Sequence, residues 1–315
     1  MQTRALGRLS DVRLSEISLG TWGLASGAYG KVEPSRYEAV IKRAWEAGIT
    51  TFDVAPLWGE GESEWRTAAA LGDDLSKAVF VSRAGQSKEG GRILGRFDSQ
   101  SLIDEVEGSL RRLGRDSIDV LLLHNPPLKV LRSDLYRKGV DHLVETGKIR
   151  SWGASVVSAE AGRAALEAGA HALGIAHHAL DPHVLRELDA ALSGAGAGVL
   201  VRSPLCYGLL AGRWSADTKF DKDDHRSRRW DTASFAERLR QVEELGFLVK
   251  GDVPDLATGA LRFALSSRHV TSVAVGARTV EQVTSAASAS AAEGKTSALG
   301  DEDLALLAER VTPRA

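Results

Sequence analysis

Short continuous runs of apolar residues alternate along this chain with longer stretches in which apolar side chains return every three or four positions. The first pattern suits strands covered on both faces and the second suits helices with one buried stripe, so the chain reads as strands joined by crossover helices. The predicted strands are Ile17 to Leu19, Thr50 to Asp53, Ala78 to Ser82, Ile118 to Leu123, Ile149 to Ala154, Leu173 to Ala176, Val199 to Arg202 and Ser272 to Val275. After the first strand, Glu33-Pro34-Ser35 opens a helix, because proline is preset for the first turn. Tyr37, Val40, Ile41, Ala44 and Trp45 share one face of it before Gly48 ends it. Further helices are predicted over Leu102 to Leu113, Leu135 to Thr146, Ala159 to Ala168, Pro182 to Leu192 and Val280 to Ala287.

Eight such strands in a chain of 315 residues predict an α/β fold, a single-domain (β/α)8 TIM barrel over residues 1–315. An open doubly wound sheet is the alternative, disfavoured because no G-x-G-x-x-G turn follows an early strand. The stretch Ser215 to Ser234, dense in Asp, Lys, His and Arg, is weakly periodic and is expected to be a charged loop on the barrel rim. Active sites of such barrels lie at the carboxyl ends of the strands. That rule gathers Asp53, Arg83, His124, Ser155, Arg202 and Gly276 around one mouth.

Composition narrows the function. Apolar residues make up 43% and charged ones 26%, enough for a substantial core, and 40 basic against 42 acidic residues leave no footprint for nucleic acid or an anionic membrane. No stretch approaches the length of a membrane span, and the region before Leu19 carries Arg4, Arg8, Asp11, Arg13 and Glu16 rather than a signal-peptide core. Cys206 is the single cysteine, so no intrachain disulfide or cysteine-rich zinc site forms, and a reducing cytoplasm is expected. His177 and His178 are adjacent; neighbouring strand residues face opposite ways, so no metal site is expected there.

A series of short motifs in order resembles the aldo-keto reductase superfamily. It comprises Gly20-Thr21-Trp22-Gly23, Gly48 through Ala55, Gly59, Ser63-Glu64, Leu121 to His124, Gly147 to Ser155, Ser203-Pro204-Leu205, Gly208 to Gly212 and Val275 to Val283. The resemblance runs from about Gly20 to about Ala287 and implies the same barrel. It also implies carbonyl reduction with NADPH by an Asp, Tyr, Lys and His tetrad, whose positions read here as Asp53, Trp58, Arg83 and His124. The tyrosine and lysine are thus replaced. An indole N–H donates a hydrogen bond but is no acid near neutral pH, and a guanidinium stays charged and relays no proton. Tyr29, on the loop after the first strand, is the candidate substitute donor.

The resemblance further assigns the phosphate and adenosine parts of a dinucleotide to Ser203, Leu205, Gly208, Leu210, Gly276, Arg278 and Gln282. At the nicotinamide end the family's Asn is Val156, its Gln falls near Ala176, and its ring-stacking aromatic is Arg202; the adenine-contacting Asn is Ala286. Arg83, Arg202 and Arg226 gather positive charge, which points to a small anionic substrate, with Trp22 and Trp58 as a flat wall for it. The leading expectation is a redox-neutral enzyme of lyase, dehydratase or isomerase type that needs no cofactor. In it His124, titrating near neutral pH, works as acid or base at a carbonyl-bearing or hydroxylated carbon, while Arg83 stabilises a developing enolate or holds a carboxylate and Asp53 orients one of them. An NADP-dependent oxidoreductase with an unusual proton donor is the first alternative, and a catalytically silent ligand-binding or complex subunit the second.

Overall fold

Two antiparallel strands, β1 (Thr3–Leu6) and β2 (Leu9–Ser15), fold across the amino-terminal end of a closed parallel barrel. The computed structural model describes residues 1–25, 27–292 and 295–310. The barrel strands are β3 (Ile17–Gly20), β4 (Thr51–Asp53), β5 (Val79–Ala84), β8 (Val120–His124), β9 (Trp152–Val156), β10 (Ala172–Ala176), β11 (Gly198–Arg202) and β12 (Val270–Gly276), paired in that order and closed between β12 and β3. A second hairpin, β6 (Gln86–Glu89) with β7 (Arg92–Gly95), rises from the end of β5. All eight predicted barrel strands are present. Ile118 and Ile149 form only an isolated bridge ahead of β8 and β9.

The helices are α1 (Pro34–Glu46), α2 (Glu62–Leu71), α3 (Ser99–Leu113), α4 (Leu128–Leu131), α5 (Arg137–Glu145), α6 (Ala159–Glu167), α7 (His183–Ala195), α8 (Thr232–Glu243), α9 (Leu256–Leu265), α10 (Val280–Ala287) and α11 (Asp301–Arg310). Several starts are fixed by side chains that accept from an otherwise orphaned N–H: Asp98 from Ser101, Asp231 from Ser234, Asp255 from Thr258 and Thr279 from Gln282. The apolar runs in the strands reflect cover on both faces. Outward, Phe52, Phe80, Leu121, Leu123, Leu173, Val199 and Val273 pack under the helices. Inward, Val81, Val120, Leu122, Ala172 and Leu200 meet Leu6, Val12 and Leu14 of the first hairpin, which stoppers the barrel floor.

One expectation changes, and a helix was absent from the sequence reading. Residues 215–234 are not loop throughout: a 3-10 turn at His225–Arg228 is capped by Asp224, and Thr232 already begins α8. Trp214, Phe220, Trp230 and Phe235 cluster beneath this stretch, with ring centres 5.0 to 6.1 Å apart, and supply a small core that its charge pattern hides. α9 is apolar on nearly every face and buried along most of its length, so it shows no stripe to betray it.

Close approach of backbones fixes one position. A Cβ on Gly153, in β9, would lie 2.0 Å from the carbonyl oxygen of Ala172 in β10. Gly153→Ala is therefore expected to destabilise the fold by about 3 kcal/mol through forced separation of two central strands. Urea unfolding checks this; an unchanged midpoint refutes it.

Candidate active site

The barrel mouth opens into a cavity of about 1260 Å³ whose lining includes all six strand-end residues, Asp53, Arg83, His124, Ser155, Arg202 and Gly276. Asp53 ends β4 and faces Val81 of β5 in the strand register, which puts Arg83 one pleat further up the same strand. Both terminal nitrogens of Arg83 donate to the Asp53 carboxylate, Nη2 at 3.0 Å, and Nη1 also donates to the carbonyl of Val54 at 3.2 Å. Only 5% of the Arg83 side chain and 8% of the Asp53 side chain are exposed, so the pair is desolvated and held in one orientation. The guanidinium carbon lies 4.6 Å from the centre of the Trp58 ring, stacking cation on indole.

His124 ends β8 beside Ser155 of β9, its partner in the register. Burial first, then the charges of Arg83 and Arg202, push its pKa down to about 3. The expectation of a histidine titrating near neutral pH is thereby overturned. At pH 7 the ring is neutral, a hydrogen-bonding group and a weak base.

Arg202 ends β11 and reaches across β10, donating from Nη2 to the carbonyl of Val156 at 3.1 Å. The loop after it is contorted: Ser203, Cys206, Tyr207 and Gly208 all have positive φ. Such backbone in non-glycine residues is costly and gathers where function constrains it. Ser203, Leu205, Gly208, Gly276, Arg278 and Gln282 line the cavity. Leu210 does not: its side chain is fully buried in the cluster under α8 and α9, and its N–H donates to Leu205 at 3.1 Å. Its assignment as a cofactor contact is corrected on that ground. Arg278 turns its guanidinium onto the carbonyls of Tyr29 at 2.7 Å, Gly30 at 3.4 Å and Lys31 at 3.3 Å.

Trp22 and Tyr29 both line the cavity, with ring centres 5.4 Å apart. Tyr29 pairs with Asp224 in an isolated antiparallel bridge, His225 N–H donates to Ala28, and the Arg226 guanidinium lies 4.7 Å from the Tyr29 ring. The loop after β3 is thus sewn to the rim segment over the mouth. Burial pushes the Tyr29 hydroxyl up to about 12, so the expected substitute acid holds its proton more tightly than free tyrosine.

Other lining residues escaped the sequence reading. Asn125 has φ of 48° and follows His124 directly, a polar residue at a strand end that the rule for barrel mouths should have flagged. His225 and Tyr207 lie in stretches without periodicity. Gln86, Lys88 and Ile93 reach the cavity from the β6–β7 hairpin, whose Gly90-Gly91 turn is a readable hairpin signal.

Residues 16–303 match the family model described as the aldo/keto reductase family, and the chain belongs to that family. It is 27% identical over 252 residues to the aldo-keto reductase YhdN of Bacillus subtilis (strain 168), covering 76% of this chain and 74% of that one. It is 26% identical over 313 residues to the L-glyceraldehyde 3-phosphate reductase of Escherichia coli O157:H7, covering 90% and 86%. The solved structure of the glycerol dehydrogenase AKR11B4 from Gluconobacter oxydans superposes with a TM-score of 0.85 at 26% identity, covering 99% and 97%. The family and its oxidoreductase-named relatives support an enzyme of oxidoreductase type.

The ion pair and the histidine each give a measurable consequence. Asp53→Asn leaves Arg83 charged and buried without its partner, and is expected to cost about 3 kcal/mol or more in urea unfolding. Exchanging both residues for apolar ones of similar size should cost less, and a larger loss in the double variant refutes this account. For His124, the unfolded chain takes up a proton near the ordinary value of 6.5 while the folded chain resists until about 3, so folding stability falls as pH drops through that window. Glu105, which accepts from the Gly85 N–H at 2.7 Å and is pushed up to about 7 by burial, works in the opposite direction between its ordinary 4.5 and that value. The clean readout is therefore the difference between wild type and His124→Gln. Between pH 6 and pH 4 the variant's stability should decline less steeply, by up to ~1.4 kcal/mol per pH unit. Parallel curves refute it.

Proposed function

We propose that this chain is an NADP-dependent oxidoreductase acting at a carbonyl or hydroxylated carbon of a small substrate, with Trp58 and Arg83 standing where family members carry a proton-delivering tyrosine and its lysine. The observation that carries the reading is the continuity of the cavity. It runs from Asp53, Trp58, Arg83 and His124 to the start of α10, where Gly276, Thr279, Gln282 and Ala286 line it. At about 1260 Å³ it exceeds the ~300–1,000 Å³ of a typical small-ligand pocket, as room for a dinucleotide beside a substrate requires.

The residues fit such a cofactor at its phosphate end. A Cβ built on Gly276 meets nothing within 4 Å, so backbone there is open to close approach. The N-terminus of α10 offers backbone N–H groups suited to phosphates, and Arg36 and Arg278 add positive charge to the lining. At the ring end, Ser155 and Asn125 are the polar groups at hand. A bound dihydronicotinamide supplies a hydride to an electrophilic carbon. The chain's own part is to polarise the substrate oxygen: neutral His124 and the Trp58 indole N–H donate hydrogen bonds, and Arg83, fixed by Asp53 under that indole, adds positive charge where negative charge develops. The final proton comes from solvent through the open mouth.

The redox-neutral reading loses its main actor. It needs His124 as acid or base, and a ring held neutral down to about 3 is a poor base at neutral pH. YhdN, the L-glyceraldehyde 3-phosphate reductase and the glycerol dehydrogenase, too, are named for reduction or dehydrogenation.

Titration with NADPH, followed by tryptophan quenching, is expected to give micromolar affinity, and added carbonyl compounds should deplete the reduced-nicotinamide absorbance slowly. The double variant Trp58→Tyr with Arg83→Lys restores a general acid and should raise the turnover of carbonyl reduction by ~100-fold or more. Absence of dinucleotide binding at millimolar concentration overturns the proposal. Proton exchange into a substrate without nicotinamide would then favour the redox-neutral enzyme, and a stoichiometric partner without turnover the silent subunit.

A further inference from the structure

The cations around the cavity are not equivalent. Arg83 is paired with Asp53, Arg226 with Asp224, and Arg278 spends its guanidinium on three backbone carbonyls. On the acidic side, Glu62 pairs with Arg66 at 2.7 Å and Glu60 faces Lys88 at 3.4 Å. Arg202 differs from Arg83 and Arg226 in lacking a carboxylate partner, and from Arg278 in having one backbone acceptor where Arg278 has three. Among the described residues it has no carboxylate within 4.0 Å; the Val156 carbonyl is its one protein acceptor, and its buried Nε has none. A desolvated cation without a counter-charge costs several kcal/mol, a cost that a ligand anion offsets on binding.

The surroundings define which anion. Asp53 and Arg83 cancel, and His124 carries no charge, so the barrel end of the cavity holds a single uncompensated positive charge. A carboxylate brings one negative charge, whereas a phosphate monoester brings ~1.5 to 2 at neutral pH and would be left undercompensated there. The planar guanidinium also matches the two coplanar oxygens of a carboxylate. Ser155 and His124, side by side in the β8–β9 register and both lining the cavity next to the Val156 carbonyl that anchors Arg202, add neutral hydrogen-bonding groups.

We propose that Arg202 is the substrate-anion residue of this site and that the substrate is a carboxylic acid, a keto or hydroxy acid whose carboxylate lies against Arg202. The inference rests on the oxidoreductase reading for the reaction at the neighbouring carbon, and on Arg202 itself for the anion. It makes Arg202 a specificity-determining residue without a part in hydride or proton transfer.

The test compares matched compounds on the full-length chain with saturating NADPH: pyruvate, 2-oxoglutarate and glyoxylate, pyruvamide as the neutral counterpart, and dihydroxyacetone phosphate as the dianion. The best acid should exceed pyruvamide in kcat/KM by roughly 100-fold, the scale of a buried charge-assisted pair, mostly through KM. Arg202→Met should collapse that ratio to within about threefold, and Arg202→Lys, which keeps the charge and loses the fork, should lower it roughly tenfold. The lysine variant also serves if the methionine variant fails to fold by circular dichroism. Equal turnover of acids and amide, preference for the phosphate ester, or a ratio unmoved by Arg202→Lys overturns the inference while leaving the oxidoreductase reading intact. Calorimetry with the same acids, with and without NADPH, separates the reverse case: acid binding that disappears in Arg202→Met upholds the anion site even where no nicotinamide is consumed.

Discussion

The forked ion pair between Asp53 and Arg83 sets the electrostatics of the whole barrel mouth. Two charges removed from water survive only because two parallel hydrogen bonds hold them together, and that geometry fixes the guanidinium flat against the Trp58 ring. With burial as the larger cause, the charge so anchored is one of the two that help keep His124 unprotonated. It also uses up the carboxylate nearest to the strand ends, which leaves Arg202 as a strand-end cation without an ion-pair partner among the described residues. One contact thus bears on both His124 and Arg202.

The walls around that contact come from different kinds of structure. Strand ends supply Asp53, Arg83, His124, Ser155 and Arg202 on a rigid frame, whereas the opposite wall is loop: the contorted stretch from Ser203 to Gly208, the rim segment around His225 and Arg226, and the loop carrying Trp22 and Tyr29. The loop after β3 is stitched to the rim segment by the bridge at Tyr29 and Asp224, and to the loop after β12 by Arg278. Position on the frame is set by β-sheet register, and position on the rim by side chains that bind backbone carbonyls.

The fold was legible because parallel strands covered on both faces write continuous apolar runs, and the spacing between them leaves room for at least one crossover helix each. Legibility failed in physically distinct ways elsewhere. Strands β1 and β2 alternate charged with apolar residues and turn at Gly7-Arg8, a weak hairpin signal. α9 hides because it is buried on nearly every face. At the site, strand-end position was enough to name the frame residues. Protonation was not readable: His124 looks like an ordinary titrating histidine in sequence, and its neutral state depends on burial and on guanidiniums arriving from β5 and β11. Leu210 was misassigned because a motif marks a loop without saying which of its residues face inward.

The stopper at the barrel floor also bears on how the molecule assembles. Leu6, Val12 and Leu14 lie at the start of the chain, but the surfaces they cover are contributed by Val120, Leu122, Ala172 and Leu200, far along it. During synthesis the hairpin emerges from the ribosome well before those strands exist, so its apolar side must wait, unsheltered, until most of the barrel has formed. Seating it closes a very long loop, a slow and entropically costly step that commits the remaining strands to ring closure. Completion of this architecture therefore returns to its first hairpin, whose apolar side is fully covered only once β5, β8, β10 and β11 are all in place.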